Sequence, residues 1–335
     1  MGLEKNISGA IAGMVLGDAM GMPSELWSKE RIKKQLGHIE KFIDGPINNE
    51  VARYFKAGQF TDDSAQALLF LEAICEYNTI PDVKILASKL LKWVDNINGF
   101  EKNILGSSSK AALLAHKKNE DYIQYTSKAV TNGSAMRIAP IGCIIDGNNI
   151  KKMAIAVANI SRVTHSSDVT IAGAAMIAQA VASALLHKNF DDIIKDVILI
   201  HDIAIKLGAP TYSASCKSRL QLAISLLKNC KNNDEVSQMV YDIIGTGVLA
   251  SESIPTAITI AYYCRHPEKA AIMCANLGGD TDTIGAMSCA ICGAYTGIDA
   301  IRSDWIKTLE KVNCISFSEY TDKILKIRKT FKLIT

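Results

Sequence analysis

The sequence predicts an all-α globular protein: two observations support the fold class, and a third supports a large core. Small and apolar residues recur at intervals of three and four along most of the chain, which is typical of helices that bury one face. Strand-like segments are scarce: Ile39–Ile43 is a short candidate, and Asp196–Ile200 fits a strand or a helix. Hydrophobic residues fill 48% of the 335 positions, enough for a large core and too many for a disordered chain. We therefore expect a compact, orthogonal multi-helix bundle in a single domain over residues 1–335.

Eleven segments carry the helical pattern. In chain order they are Ile7–Met20, Ser64–Tyr77, Val83–Val94, Ala135–Ile145, Met153–Ile160, Val169–Leu186, Ile193–Leu207, Ser215–Leu227, Ile254–Tyr263, Pro267–Asn276 and Thr283–Tyr295. In the first segment Gly9, Gly13 and Gly17 recur at every fourth position, which lets a neighbouring helix approach closely. Proline lacks the N–H group that an internal helical residue donates, so prolines are expected at helix boundaries. Six positions fit this rule: Pro23, Pro81, Pro140, Pro210, Pro255 and Pro267.

Composition argues against several classes of partner. The chain has 37 Lys and Arg against 34 Asp and Glu, a balance that favours neither nucleic acid nor an anionic membrane. The apolar run Ile171–Leu186 is shorter than the ~18–20 residues of a membrane span. The apolar run Ile7–Leu16 follows Glu4 and Lys5, which favours a packed helix over a signal peptide. We expect a soluble, cytoplasmic protein.

The nine cysteines are an odd number spread through apolar stretches, which favours free thiols over a disulfide framework. Cys289 and Cys292 form a single CxxC pair, and no second pair has the spacing of a zinc site. We interpret them as two core thiols one helical turn apart.

The most unusual local sequence is Gly278–Gly285. It places Asp280 and Asp282 beside Thr281 and Thr283, after two glycines and before a helix. Glycines allow backbone conformations in which both carboxylates face the same site. Carboxylate and hydroxyl oxygens are the ligands that suit Mg²⁺, Mn²⁺ or Ca²⁺. The alternative is an ordinary helix N-cap, which uses the same residue types.

A second segment, Gln59–Ser64, has the same character. Thr61, Asp62 and Asp63 precede a clear helix, and taken alone they fit an N-cap with Thr61 as the capping residue. Adjacent aspartates repel each other, however, whereas a cation benefits from both. The two segments together offer four carboxylates, enough for two divalent cations in a shared site.

Four further segments carry weaker signals. Glu25 follows Pro23 on a predicted loop and is either a site residue or a solvated glutamate. Asn132–Arg137 is a Gly/Ser turn at the start of a predicted helix, whose free N–H groups could bind a phosphate. Gly106–Ser109 is similar but weaker, and ordinary capping explains both. His165 precedes a long helix, and a lone histidine is more often structural than catalytic.

Taken in order, these segments resemble the ADP-ribosylglycohydrolase family, from Gly9 to about Gly297. The resemblance implies an all-α fold with two Mg²⁺ or Mn²⁺ ions between the aspartate clusters. The implied metal ligands are Thr61, Asp62, Asp63, Asp280, Asp282 and Thr283. The implied substrate-binding residues are Asn132, Gly133, Ser134 and His165. The implied catalytic residues are Glu25, as general base or proton shuttle, with Asp62 and Asp280.

The implied reaction is hydrolysis of the bond between an ADP-ribosyl group and a modified protein side chain, arginine or serine, or a small ADP-ribosylated compound. Thr131, Ser64 and Asp168 depart from residues common in the family, which bears on substrate preference more than on metal binding. Two alternatives stay open: a catalytically idle ADP-ribose-binding or structural member of the fold, and a hydrolase of another ribosylated or nucleotide-like compound.

Overall fold

The computed structural model describes residues 2–102 and 104–332, and within these ranges it contains seventeen α-helices and no strand. The helices are α1 (Leu3–Gly21), α2 (Lys29–Gln35), α3 (Asp62–Tyr77), α4 (Val83–Asn96), α5 (Ser107–Lys118), α6 (Ile123–Thr126), α7 (Ala139–Ile144), α8 (Ile150–Ser161), α9 (Asp168–Leu185), α10 (Phe190–Ala204), α11 (Cys216–Leu227), α12 (Asn233–Met239), α13 (Ala250–Cys264), α14 (Pro267–Ala275), α15 (Thr281–Thr296), α16 (Ser303–Asn313) and α17 (Phe317–Thr330). A π-helical turn follows α12 at Val240–Ile244. The predicted all-α fold is confirmed.

Helices α1 and α15 form an antiparallel pair at the centre of the core. Gly9 of α1 faces Gly293 of α15, and Gly17 faces Gly285, so the two backbones touch. A methyl group on Gly17 would lie only 2.0 Å from the Gly285 carbonyl oxygen. This close, antiparallel contact brings the C-terminal end of α1 beside the N-terminal end of α15.

Helix α9 is also central and packs against α7, α8, α10, α13 and α15. By length and composition alone it could cross a membrane, but 94% of its residues are buried inside the protein. Burial on all sides is typical of the core helix of a large bundle.

Pro255 corrects one prediction, because it lies inside α13 rather than at its boundary. Proline has no N–H group to donate to the carbonyl of Ser251, one turn earlier. Nη1 of Arg219 donates to that carbonyl instead, at 3.0 Å. The side chain of Arg219 therefore offsets the missing helical hydrogen bond.

The predicted strand at Ile39–Ile43 is also wrong, since this stretch has no regular secondary structure. Asn276 takes the place of a strand partner: its Oδ1 accepts the Ile39 N–H, and its Nδ2 donates to the Ile39 carbonyl, each at 2.9 Å. The Asn276 side chain therefore takes both backbone hydrogen bonds of Ile39 that a neighbouring β-strand would otherwise make.

The predicted helix over Ala135–Ile145 is helical only in α7, and the residues before Ala139 form turns. Helices α2, α5, α6, α12, α16 and α17 were not predicted.

All nine cysteines lie in the described ranges and are free, as predicted. Cys289 and Cys292 are fully buried in α15.

Candidate functional site

A cavity of about 260 Å³ lies where the loop after α1 meets the N-terminal ends of α3, α5 and α15. Carboxylates and a hydroxyl form one part of its lining: Glu25, Asp62, Asp63, Asp280 and Thr283. Small and polar residues form the facing wall: Gly106, Ser107, Ser109, Thr131, Asn132 and Gly133. Apolar side chains complete it: Leu26, Val51, Ile104, Leu105, Met136 and Val248. The two predicted aspartate clusters thus share one cavity with Glu25.

The α15 cluster is held in place mainly through the backbone. Gly278 and Gly279 adopt φ values of +84° and +85°, which favour glycine and turn the chain sharply into α15. The Gly279 carbonyl accepts the N–H of Leu26 at 2.7 Å, and its N–H donates to the Trp27 carbonyl at 2.9 Å. This bridge fixes the Glu25 loop against the start of α15. As a result, carboxylate oxygens of Glu25, Asp280 and Asp282 lie within 4.8 Å of one another.

Asp280 occupies the N-cap position of α15, but its side chain makes no capping hydrogen bond. Its Oδ2 instead accepts from Nδ2 of Asn132 at 2.5 Å. Its backbone N–H donates to the Thr246 carbonyl at 2.7 Å. The capping interpretation therefore fails for this carboxylate, which is directed into the cavity.

The α3 cluster depends on Asp18, a residue whose role the sequence analysis missed. The Asp18 carboxylate accepts the backbone N–H groups of Thr61 and Ser64, each at 2.9 Å. It therefore caps α3 from a neighbouring helix. Thr61 is the N-cap residue of α3, as predicted, and its hydroxyl accepts the Asp63 N–H at 3.4 Å. The same hydroxyl lies 3.4 Å from Oδ2 of Asp282. An aspartate within an otherwise small and apolar helical segment was the available signal, because a carboxylate packed there needs a partner.

Two carboxylate oxygens at the centre of the site, Oδ1 of Asp63 and Oδ1 of Asp282, are buried and have no hydrogen-bond partner. Asp62 is better supported, since Nε2 of Gln66 donates to its Oδ2 at 2.7 Å. Buried, unpartnered carboxylate oxygens cost free energy unless a proton or a cation meets them. Oxygen donors of this kind fit a hard divalent cation.

Burial and mutual repulsion raise the pKa values of these acids. Burial, then the charges of Asp18 and Asp280, raise the pKa of Asp62 to about 7. Burial raises the pKa of Asp18 to about 6. Burial and neighbouring carboxylates raise the pKa of Asp63 and of Asp282 well above the usual range. Without a cation, the cluster retains protons that isolated aspartates would have lost at neutral pH.

The Asn132–Arg137 segment differs from its prediction, because no helix starts at Gly133–Ala135. Asn132 and Gly133 line the cavity, but the Ser134 hydroxyl donates to the Thr170 carbonyl at 3.2 Å. Ser134 is 1% exposed and lies behind the wall rather than in it. Of the two Gly/Ser segments, the one that places a helix start at the cavity is Gly106–Ser109, where α5 begins.

His165 also lies behind the wall, fully buried against Gly133. A methyl group on Gly133 would come within 2.6 Å of Cε1 of His165. Burial, with the nearby charge of Arg137, lowers the pKa of His165 to about 3. The imidazole is therefore neutral and supports the Gly133 loop from beneath.

Known proteins resemble this chain over nearly its full length. The sequence model of the family described as ADP-ribosylglycohydrolase matches residues 1–331. The Escherichia coli K12 protein YegU is 38% identical over 97% of this chain and 98% of its own length. The human protein named ADP-ribosylhydrolase ARH3 is 28% identical over 90% of this chain and 88% of its own length. A solved structure described as an ADP-ribosylglycohydrolase-related protein complex has a TM-score of 0.71 at 20% identity, covering 98% of this chain and 99% of that one. The ordered motifs, the helical fold and the full-length match agree, and the chain belongs to the ADP-ribosylglycohydrolase family.

Proposed function

We propose that the protein is a metal-dependent hydrolase that releases ADP-ribose from a modified side chain or from a small ADP-ribosylated compound. The observation that carries this proposal is the convergence of Glu25, Asp280 and Asp282, whose carboxylate oxygens lie within 4.8 Å of one another. Glu25 and Asp280 also line the cavity. The family supports a hydrolase, and ARH3 relatives carry the name ADP-ribosylhydrolase. We also propose, from the sequence, that residues 1–335 form one domain of a cytoplasmic protein without nucleic-acid or membrane partners.

The residues present fit two Mg²⁺ or Mn²⁺ ions. The proposed ligands are Thr61, Asp62, Asp63, Asp280, Asp282 and Thr283. The orphan oxygens of Asp63 and Asp282 support this assignment, because no protein group satisfies them. Divalent cations there would supply Lewis acidity and a template for the ribose hydroxyls beside the bond that is cleaved.

Glu25 is the proposed general base or proton shuttle. Burial, and then the charges of Asp282 and Asp280, raise its pKa well above the usual range. A carboxyl group with a raised pKa exchanges a proton near neutral pH more readily than an ordinary glutamate. Its carboxyl oxygens would take the proton of the attacking water and pass it to the nitrogen or oxygen of the departing group as that atom's bond to the ribose breaks. The neighbouring carboxylates would stabilise the positive charge that develops on the ribose.

The start of α5 is the proposed phosphate-binding element, in place of the predicted helix start at Gly133. The first intrahelical bond to the Gly106 carbonyl comes from the Lys110 N–H, so the preceding N–H groups have no helical acceptor. Ser109 lines the cavity there and is 4% exposed. N–H groups at the positive end of a helix favour a pyrophosphate.

The test is the release of ADP-ribose from peptides ADP-ribosylated on arginine or on serine, followed by chromatography. We expect release with Mg²⁺ or Mn²⁺ and none after chelation. Glu25→Gln should lower kcat more than it changes KM, because a proton-transfer group acts on the chemical step. Tight ADP-ribose binding without release from either peptide, or from a small compound such as ADP-ribosyl-arginine, would contradict the proposal and favour a catalytically idle ADP-ribose-binding protein.

A further inference from the structure

One buried cation, Arg137, lies behind the cavity without lining it. The side chain is 2% exposed, and its Cζ stands 4.8 Å from the centre of the Phe70 ring. Burial lowers its pKa to about 10, which leaves it charged at neutral pH. Its guanidinium donates in two directions, to Gln66 and to Thr164.

The first direction leads to the proposed cation site. Nη1 of Arg137 donates to Oε1 of Gln66 at 2.5 Å. Because Arg137 holds that oxygen, the amide must turn its Nε2 towards Asp62, and Nε2 donates to Oδ2 of Asp62 at 2.7 Å. Arg137 thereby fixes the orientation of Gln66, and Gln66 fixes one oxygen of Asp62.

The second direction leads to the opposite wall. Nη2 of Arg137 donates to the hydroxyl of Thr164, whose Oγ1 lies 2.7 Å from Nδ1 of His165. Nε2 of His165 lies 2.9 Å from Oγ1 of Thr131, and the Thr131 hydroxyl donates to Oγ of Ser108 at 3.0 Å.

This second chain permits one arrangement of hydrogens. The single hydroxyl hydrogen of Thr131 is used on Ser108, so Nε2 of His165 must donate to Thr131. Nδ1 of His165 must then accept from Thr164, whose oxygen already accepts from Arg137. Every bond is donated outward from Arg137, since a guanidinium cannot accept.

We propose that Arg137 is a positioning residue that orients both walls of the cavity, Asp62 through Gln66 and the Thr131–Gly133 loop through Thr164 and His165. The proposal rests on the proposed function for its ligands, Mn²⁺ and ADP-ribose. An arginine is required because its planar fork donates from two separate nitrogens, whereas a lysine offers a single point charge. The hydrogen bonds through Gln66 should therefore affect cation binding, and those through Thr164 and His165 should affect ADP-ribose binding.

The experiment measures two affinities by titration calorimetry: Mn²⁺ into metal-free protein, and ADP-ribose into protein saturated with Mn²⁺. Gln66→Met removes the support of Asp62, so we expect about tenfold weaker Mn²⁺ binding and unchanged ADP-ribose binding. Thr164→Val removes the hydroxyl at constant shape, so we expect about tenfold weaker ADP-ribose binding and unchanged Mn²⁺ binding. Thr164→Ser keeps the hydroxyl and should restore wild-type affinity.

Arg137→Lys should weaken both affinities, whereas Arg265→Lys, at an exposed position on the C-terminal end of α13, should weaken neither. A thermal melt of each variant checks that it is folded before its affinities are compared. The proposal is overturned if Arg137→Lys leaves both affinities unchanged, or if Gln66→Met and Thr164→Val alter the same affinity. Absence of ADP-ribose binding in the wild type would refute the proposed function. The Mn²⁺ affinities of Gln66→Met and Arg137→Lys would still test whether Arg137 supports Asp62 through Gln66.

Discussion

The two acidic helix starts of the cavity use the same residue types but are held in different ways. At α15 the backbone does the holding: Gly279 bonds to the Glu25 loop on both its N–H and its carbonyl, and Asp280 donates to Thr246. At α3 side chains do the holding: Asp18 accepts two backbone N–H groups, and Gln66 supports Asp62. In both arrangements the aspartate side chains do not cap their own helix, and Asp62, Asp63 and Asp280 line one cavity.

Because of this difference, the starts of α3 and α15 are sensitive to different substitutions. A backbone-held start has no room for a side chain at its glycines, since a methyl group on Gly279 would lie 2.2 Å from the Thr246 carbonyl oxygen. A side-chain-held start depends instead on distant polar partners such as Asp18 and Arg137. We therefore expect the start of α15 to be disrupted by added side-chain atoms, and the start of α3 by the loss of a polar partner.

The largest expected effect follows from removing one carboxylate of the cluster. Asp280→Asn should lower kcat/KM on an ADP-ribosylated peptide by on the order of a thousandfold, because the proposed cation and the Lewis acidity that it would supply are lost. Asp95→Asn, on the exposed surface of α4, is the matched control and should keep wild-type turnover. Near-wild-type kinetics for Asp280→Asn would remove Asp280 from the site.

The backbone-held start is tested by Gly279→Ala. A methyl group there is opposed both by the φ of +85° and by the Thr246 carbonyl, so we expect a loss of about 3 kcal/mol or more in the free energy of unfolding. Gly37→Ala is the matched control, since Gly37 has a φ of +73° and open space around it. Equal losses in denaturant titrations of the two variants would show that strain alone, and not close packing, limits Gly279.

The side-chain-held start is tested by Asp18→Ala. Two buried backbone N–H groups lose their acceptor, each at a cost of about 1–3 kcal/mol, and Asp63 loses its fixed position. We expect lower unfolding free energy and weaker Mn²⁺ binding by calorimetry, with Asp18→Asn intermediate because it keeps one acceptor oxygen. Full Mn²⁺ affinity in Asp18→Ala would show that α3 needs no support from α1.

A smaller effect is expected from pH in the metal-free protein. The folded pKa values of Asp62 and Asp18, about 7 and about 6, lie above the usual 3.8. A raised folded pKa stabilises the protein at low pH, and that stability is lost as pH rises through about 6 to 7. The melting temperature after chelation should therefore fall from pH 5.5 to pH 8, on the order of a few degrees. With Mn²⁺ present the fall should shrink or reverse, and identical melting curves with and without Mn²⁺ would contradict the cation site.

The smallest effects separate two serines near the cavity. Ser109→Ala removes a hydroxyl from the lining and should weaken ADP-ribose binding several-fold, about 1 kcal/mol. Ser134→Ala removes a hydroxyl that bonds to Thr170 behind the wall, so binding should stay within about twofold. A larger loss of ADP-ribose affinity in Ser134→Ala than in Ser109→Ala would restore the predicted role of Ser134.

Sequence patterns predicted the central helices and both acidic clusters because these signals are local. Glycine spacing in α1 and the motifs around Asp62 and Asp280 depend on neighbours in the chain. Helices α16 and α17 were missed although apolar residues recur in them at helical spacing, at Trp305 and Leu309 in α16 and at Phe317, Ile324 and Ile327 in α17. A capping box was available for α17, since Ser316 accepts the Glu319 N–H.

The remaining features depend on contacts between distant residues. Asp18 meets Thr61 across 43 positions, and Arg137 meets Gln66 across 71. Neither pairing leaves a periodic signal in one sequence. The start of α5 gave only a weak Gly/Ser signal, and its exposure to the cavity follows from tertiary packing alone.

The most direct test of the shared cation site is a calorimetric titration of ADP-ribose into Mn²⁺-loaded protein, repeated after chelation and with Asp280→Asn. We expect binding to the loaded wild-type protein, and a loss of at least about tenfold in affinity both after chelation and in the variant. Equal affinity with and without Mn²⁺ would contradict the claim that the two acidic helix starts form one cation site that binds the ribose.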